Sequence, residues 1–157
     1  MSGLEPRAKP ELTEFLAGYA GPPALEYRGG RVKVIAAFVY TDGVLIEWLI
    51  GPVPDLSWMP DPVESSGETS AFFPQFRDQP LEIERMRRFK RLTSFWDDAT
   101  LQDDLETQYQ LAWGDAHSLN GPRYKGHSAF SPTPPREARE LTLLAHELSI
   151  KIALHKG

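Results

Sequence analysis

The clearest hydrophobic pattern in the chain is a pair of apolar runs separated by a short polar turn. Residues 32–40 and 44–50 are dominated by Val, Ile, Leu, Phe and Trp, and Thr41-Asp42-Gly43 lies between them. An Asp-Gly pair at this place is typical of a hairpin, because it supplies the positive φ that a tight turn requires. The pattern predicts two antiparallel strands, with one face of the second formed by Val44, Ile46, Trp48 and Ile50. Trp48 is therefore expected in the core.

The C-terminal segment also alternates with a period of two, but its phase changes once near His146-Glu147. The apolar positions before the change are Leu141, Leu143 and Ala145, and those after it are Leu148, Ile150, Ile152 and Leu154. A regular strand cannot move its apolar side chains to the other face, so the slip predicts a bulge or a short turn between two strands. A helix through residues 141–152 is the alternative interpretation.

Another strand is predicted between two turn-rich segments in the second half of the chain. Tyr109, Leu111 and Trp113 alternate after an Asp-rich turn, and we expect Tyr109 to share the core with Trp48 and Leu143. Residues 114–126 are rich in Gly, Asn, Pro and His and are interpreted as a loop. A short strand is predicted at residues 127–131.

Two segments have helical features. Leu12, Phe15, Leu16 and Tyr19 have helical spacing behind Pro10, which predicts a short N-terminal helix over residues 10–19. Residues 80–96 fit a helix that Pro80 opens, but the alternation of Phe89, Thr93 and Phe95 also fits a strand. A second helix near 80–95 is therefore one of two interpretations.

The segment at residues 52–80 is rich in proline, which removes backbone donors and restricts the preceding residue, so a long loop is predicted. Its apolar residues are unusual for a solvated linker, since each aromatic side chain can bury on the order of 150 to 250 Å². The loop is therefore expected either to pack onto the body as a cap or to bind a partner. These residues are Leu56, Trp58, Met59, Phe72, Phe73 and Phe76.

Composition places the chain among ordinary globular proteins. It has 157 residues, 41% of them hydrophobic and 25% charged, which predicts a single domain with one core. The absence of cysteine excludes disulfides and thiolate chemistry. No apolar run is long enough for a signal peptide or a membrane helix, so a cytoplasmic protein is expected. A net charge of -5 argues against general binding of nucleic acids or anionic membranes.

The last third of the chain resembles a family of uncharacterised immunoglobulin-like domains of bacteria. The resemblance rests on Asp103-Asp104-Leu105-Glu106-Thr107-Gln108-Tyr109, on Phe130-Ser-Pro132-Thr-Pro-Pro135 and on Ala138-Arg-Glu-Leu141-Thr-Leu143. It implies a mostly β protein, an immunoglobulin-like antiparallel β-sandwich, here over residues 29–157 behind an N-terminal helix and extension at 1–28. Glu106 departs from the family pattern, which usually has glycine there. The resemblance implies no activity, since sandwiches carry many unrelated functions.

Candidate chemistry is sparse. The four histidines, at positions 117, 127, 146 and 155, have no close pair with metal-ligand spacing, and the acidic run at 97–106 is typical of turns, so no metal or cofactor is predicted. No catalytic motif occurs, which favours a protein that is not an enzyme. A small-ligand-binding or hydrolytic sandwich with a site built from Asp103, Asp104 and a histidine is the alternative, and it requires Asp104, His117 and His127 to converge on one pocket.

The concentrated positive charge at residues 85–91 completes the functional prediction. Glu82 and Glu84 precede it and are expected to neutralise part of it on a helix, while Phe89 and Phe95 are available for stacking on bases. We predict a non-enzymatic protein-interaction or assembly module of a bacterial cytosolic system, with an immunity-type inhibitor as a further alternative; homo-oligomers are compatible with it. The aromatic loop forms the predicted interface, with Arg87, Arg88 and Arg91 at its rim.

Overall fold

The structure is a computed structural model that describes residues 11–59, 80–120 and 122–154, except for the side chains of residues 80–83 and 85. These ranges contain nine strands and one helix. The strands are β1 (Phe15–Ala20), β2 (Leu25–Tyr27), β3 (Gly30–Tyr40), β4 (Gly43–Ile50), β5 (Thr100–Asp103), β6 (Gln110–Ser118), β7 (Tyr124–Ser131), β8 (Glu140–Ala145) and β9 (Leu148–Ala153); the helix α1 is Pro80–Ser94.

The strands form two antiparallel sheets, as expected for a mostly β protein and consistent with a β-sandwich. The larger sheet has the order β1-β3-β4-β7-β6, with β2 paired to β3 beside β1. The smaller sheet has the order β5-β8-β9. A single hydrophobic core contains side chains from both sheets and from α1.

The β3–β4 hairpin confirms the strongest sequence pattern. Its register pairs Tyr40 with Gly43, so the loop is Thr41-Asp42. Neither Asp42 nor Gly43 has the positive φ that was expected, and the Asp42 carboxylate instead accepts hydrogen bonds from the backbone amides of Glu11 and Leu12. A bulge between Val34 and Ala36 shifts the alternation by one residue, so the buried positions are Val32 and Val34 before it and Ala37 and Val39 after it.

The predicted burial of Trp48 is also confirmed. Trp48 is 1% exposed, and the other alternate positions of β4 (Val44, Ile46 and Ile50) are buried with it. Leu143 is fully buried, whereas Tyr109 packs against the core only partly buried. The C-terminal segment forms two strands joined by a turn at His146-Glu147, where His146 has a φ of 54°, so the helical alternative is wrong.

The predicted N-terminal helix is wrong. Phe15 to Ala20 form strand β1, which pairs with β3 from Tyr40 to Ala36. Four apolar residues at helical spacing are a weak signal, since a short isolated helix is marginal and the open edge of β3 offers backbone partners. Phe15 remains 55% exposed, although its ring contacts Phe38 and Tyr40.

The predicted loop at residues 114–126 is also wrong over most of its length. Strand β6 continues to Ser118 and β7 starts at Tyr124. Glycine at position 126 lies against the ring of Trp48, where a Cβ atom would collide with the indole. The glycine that suggested a loop is therefore a packing requirement of the buried tryptophan.

The helical interpretation of residues 80–95 is confirmed by α1. Proline suits its first position, because the first amides of a helix have no partner within the helix. Leu92 and Phe95 are fully buried and Trp96 is 3% exposed, so the C-terminal end of α1 is anchored in the core. The part of the predicted loop 52–80 within the described residues, up to Met59, has no strand or helix.

Candidate protein-binding cleft

The segment that follows β4 packs onto the body of the protein. Leu56 is 6% exposed and belongs to the core, and Met59 packs against it partly buried. The backbone amide of Asp55 donates a hydrogen bond to the carbonyl of Arg28 over 2.9 Å. In this part of the predicted loop, the expected cap is therefore present.

Trp58 lies at the surface of this segment, is 39% exposed and makes three contacts with its neighbours. Its indole nitrogen donates a hydrogen bond to the carbonyl of Asp55 over 3.0 Å. The guanidinium of Arg28 stands 4.7 Å from the centre of the indole, and the ring of His146 meets it edge-on at 5.1 Å. Trp58 thus stabilises the turn and is not presented freely to solvent.

One face of α1 carries a row of arginines that meets this segment. Arg87, Arg88 and Arg91 follow Glu84 at positions that recur on one side of a helix. With residues 53–57 they line a cleft of about 390 Å³. The cleft is open to solvent along the arginine face.

Among the described residues that line the cleft, basic side chains outnumber acidic ones by three to two. Three guanidinium groups line it together with the carboxylates of Asp55 and Glu84. Hydrogen bonds from Ser57 hold the pKa of Asp55 below its usual value, and Glu84 lies 3.9 Å from Arg87, so each acid compensates part of the charge. Arg88 is exposed and forms no ion pair with any described residue. Arg88 is the cation most accessible to a ligand.

The structure brings together four of the nine predicted binding residues, namely Leu56, Arg87, Arg88 and Arg91. Trp58 and Met59 belong to the same segment but do not line the cleft. Phe72, Phe73 and Phe76 lie outside the described residues, as does His155. The part that sequence reasoning missed is Val53-Pro54-Asp55, whose contact with α1 has no local signal.

The aromatic residues proposed to stack on nucleic acid bases do not lie beside the arginines. Phe95 is fully buried, and Phe89 faces away from the arginine row and contacts the ring of Tyr124 at 5.9 Å. A single-strand binder combines a basic groove with accessible aromatic faces. The described surface therefore lacks the combination that the base-stacking interpretation requires.

The three residues of the hydrolytic alternative do not converge. His117 and His127 lie on one face of the larger sheet, on β6 and β7. Asp104 instead accepts hydrogen bonds from the backbone amides of Arg139 and Glu140 at the start of β8. The predicted carboxylate-histidine site is absent from the described residues.

His127 has acidic partners that the sequence did not indicate. Its Nδ1 lies 3.0 Å from Asp115 and its Nε2 3.2 Å from Glu47, and Lys125 also pairs with Glu47 at 3.2 Å. Strand register places the three strands side by side, which a single sequence does not show. Both imidazole nitrogens are occupied by carboxylates, so neither faces a substrate as a general base would.

Asp103 serves its own turn, as the sequence predicted, whereas Asp104 binds the backbone at the start of β8, 35 residues away in the sequence. Asp103 accepts hydrogen bonds from the backbone amides of Leu105 and Thr107 and from the hydroxyl of Tyr109. Burial alone would raise the pKa of Asp103, but these hydrogen bonds together hold it below its usual value. In the described part of the chain, no group of three or more His, Asp or Glu side chains is arranged to hold a metal ion.

Comparison of the chain with protein-family models, with curated proteins and with solved structures finds no match. No helix within the described ranges is long and apolar enough to cross a lipid bilayer.

Proposed function

We propose that the protein is a non-enzymatic interaction module that binds an acidic segment of a partner protein in the cleft between residues 53–57 and α1. The observation that carries this proposal is the juxtaposition of Arg87, Arg88 and Arg91 with the folded turn around Leu56. The chain has a net charge of -5, so a local basic cleft attracts an acidic ligand that the chain as a whole does not attract.

Two features favour an acidic peptide over a simple anion. The cleft lies between a helix face and a loop, and its lining combines arginines with the apolar residues Val53 and Pro54. Arginine forks bind carboxylates in pairs, and apolar contacts between them suit a segment that alternates acidic and apolar residues. The partner segment we infer therefore carries Asp or Glu next to Leu, Ile or Phe.

The proposal also covers the type of fold and the cellular location of the protein. An immunoglobulin-like sandwich agrees with two antiparallel sheets around one core, and with the φ of 62° at Glu106, a conformation that suits the glycine usual in the resembled family. A bacterial cytosolic location is part of the proposal, and an inhibitor that covers an acidic site on its target is its more specific form.

A peptide-display selection against the purified protein tests this function. We expect the enriched peptides to combine acidic and apolar residues and to lose affinity for the Arg88→Glu protein by at least about tenfold, since hydrogen bonds to charged groups contribute roughly 1.5–3 kcal/mol. Arg136→Glu is the matched control, because Arg136 is exposed, lies outside the cleft and gives the same change in net charge.

The selected peptides must also be compared with single-stranded DNA. Tighter binding of a DNA oligonucleotide than of the best peptide, weakened equally by Arg88→Glu, would assign the cleft to nucleic acid. Equal loss of peptide binding in Arg88→Glu and Arg136→Glu would show attraction by net charge alone. Either result would overturn the proposal.

A further inference from the structure

The opposite side of α1 lines a second cleft, of about 520 Å³. One wall is formed by Phe89 and Thr93 of the helix and by Trp96 and Asp97 beyond its end. The other wall is β6 from Leu111 to Ala116, and the floor reaches Trp48 and Ser128. Its volume lies in the range of small-molecule sites, about 300–1,000 Å³.

The walls of this second cleft are aromatic. Trp48, Phe89, Trp96 and Trp113 all line it, which brings three of the four tryptophans of the chain to one place. Trp48 and Trp96 are held in place by burial, since they are 1% and 3% exposed and their ring centres lie 5.4 Å apart. Phe89 and Trp113 are only partly buried and offer accessible rings.

The charge of this cleft is negative. Among the described residues, the lining includes the carboxylates of Asp97 and Asp115 and the imidazole of His127, but no lysine or arginine. Asp115 is paired with His127, whereas the carboxylate of Asp97 has no hydrogen bond or ion pair with any described residue. Asp97 is exposed, and partial burial, followed by the neighbouring charge of Asp98, raises the pKa of its carboxylate.

We propose that this second cleft binds an organic cation that carries an alkylated ammonium group. Aromatic faces attract such a cation through their electron-rich surface, and a nearby carboxylate adds direct charge complementarity. An alkylated ammonium is favoured over a bare one because its alkyl groups are weakly hydrated and pack against the aromatic rings of Phe89 and Trp113. A free amine and an alkylated lysine side chain share this chemistry.

The second cleft is independent of the arginine cleft. Arg87 and Arg88 line the first, whereas Phe89 and Thr93 line the second, so the two ligands contact different faces of α1. The described linings of the two clefts also differ in the sign of their charge. Loss of one binding activity is therefore not expected to remove the other.

The experiment is a titration with choline followed by NMR of the four indole N–H signals, assigned with Trp→Phe variants. We expect choline to shift the signal of Trp113 but not that of Trp58, which lies beside Arg28 and His146 outside this cleft. The neutral isostere 3,3-dimethylbutan-1-ol has the same shape without the charge. It is expected to bind at least about tenfold more weakly, as for a cation–π contact of roughly 2 kcal/mol.

Two isosteric variants complete the test. Asp97→Asn should weaken choline binding by about threefold to fivefold, as expected for an exposed carboxylate, whereas Asp98→Asn, with the same charge change at the next residue, should weaken it by less than about twofold. Tighter binding of acetyl-trimethyl-lysine amide than of choline would identify a lysine side chain as the natural ligand, and the reverse order a free amine.

Three results would overturn the inference. They are the absence of any shift at Trp113 up to about 100 mM choline, well above the millimolar range, equal binding of the neutral isostere, and equal effects of Asp97→Asn and Asp98→Asn. Retained peptide binding in the first cleft would show that the protein is folded in each case.

Discussion

The indole nitrogen of Trp48 donates a hydrogen bond to the hydroxyl oxygen of Ser128 over 3.2 Å, and both side chains are 1% exposed. The contact joins β4 to β7 at the centre of the larger sheet. Among the described residues, no other polar or charged side chain is buried to this degree. Ser128 supplies the acceptor that the buried indole N–H of Trp48 requires.

Removal of either partner is expected to destabilise the protein to a different extent. Ser128→Ala leaves a buried donor without an acceptor, which costs about 1–3 kcal/mol. Trp48→Ala also opens a cavity and costs roughly 3–5 kcal/mol. Urea unfolding of the two variants measures both values, and a Trp48→Ala protein with wild-type stability would contradict the burial.

We expect the turn around Leu56 to cap the core, and Trp58 to stabilise this turn from the surface. Leu56→Ala removes a core side chain and is expected to cost about 2–5 kcal/mol. Trp58→Ala removes a partly exposed ring held by Arg28 and is expected to cost about 1 kcal/mol, the value of an exposed cation–π contact. Thermal unfolding compares them, and a larger loss for Trp58→Ala would reverse the assignment.

Glu106 adopts a φ of 62°, which is strained for a residue with a side chain. Glu106→Gly is expected to keep or raise stability by up to about 1 kcal/mol, because relief of this strain offsets the entropy cost of glycine. Leu105→Gly is the matched control, since Leu105 is next to it, 46% exposed and has no positive φ, and it should lower stability. Equal losses in the two variants would contradict the strain.

The hydrogen bond from Tyr109 to Asp103 predicts how stability depends on pH. The pKa of Asp103 is lowered in the folded state, so its contribution is complete above the ordinary carboxyl value of about 3.9 and disappears as the pH falls below it. Burial and the contact with Asp103 raise the pKa of Tyr109, so stability should also decline as the pH rises past about 10.

The variant that checks this pH dependence is Asp103→Asn. Urea unfolding between about pH 2 and 5 should show a smaller acid-induced loss than in the wild-type protein. Glu137→Gln serves as the control, since Glu137 is exposed and its carboxylate forms no hydrogen bond or ion pair with any described residue. A wild-type slope in Asp103→Asn would exclude Asp103 as the source.

The sequence predicted those parts of the fold that a local pattern determines. The β3–β4 hairpin and the turn at His146 follow from alternation, which reports burial directly. Strand β1 was missed because its partner, the edge of β3, is distant in sequence. Residue 126 was misread because the need for glycine comes from Trp48, on a different strand.

The candidate site was predictable only in its residue types. Leu56 and the arginines were selected as types common at interfaces, and the structure places them in one cleft. That they share a cleft with Val53 depends on how α1 packs, which no spacing encodes. The partners of His127 were missed for the same reason, since Glu47 and Asp115 meet it through strand register.

Chemical-shift mapping by ¹H–¹⁵N NMR with the best display-selected acidic peptide tests the proposed function most directly. The account predicts shifts confined to the amides of residues 53–57 and 84–91, and their loss in Arg88→Glu at the same peptide concentration. Shifts that spread over β6 and β7 while residues 84–91 stay unchanged would contradict it, because the peptide would then bind away from the arginine cleft.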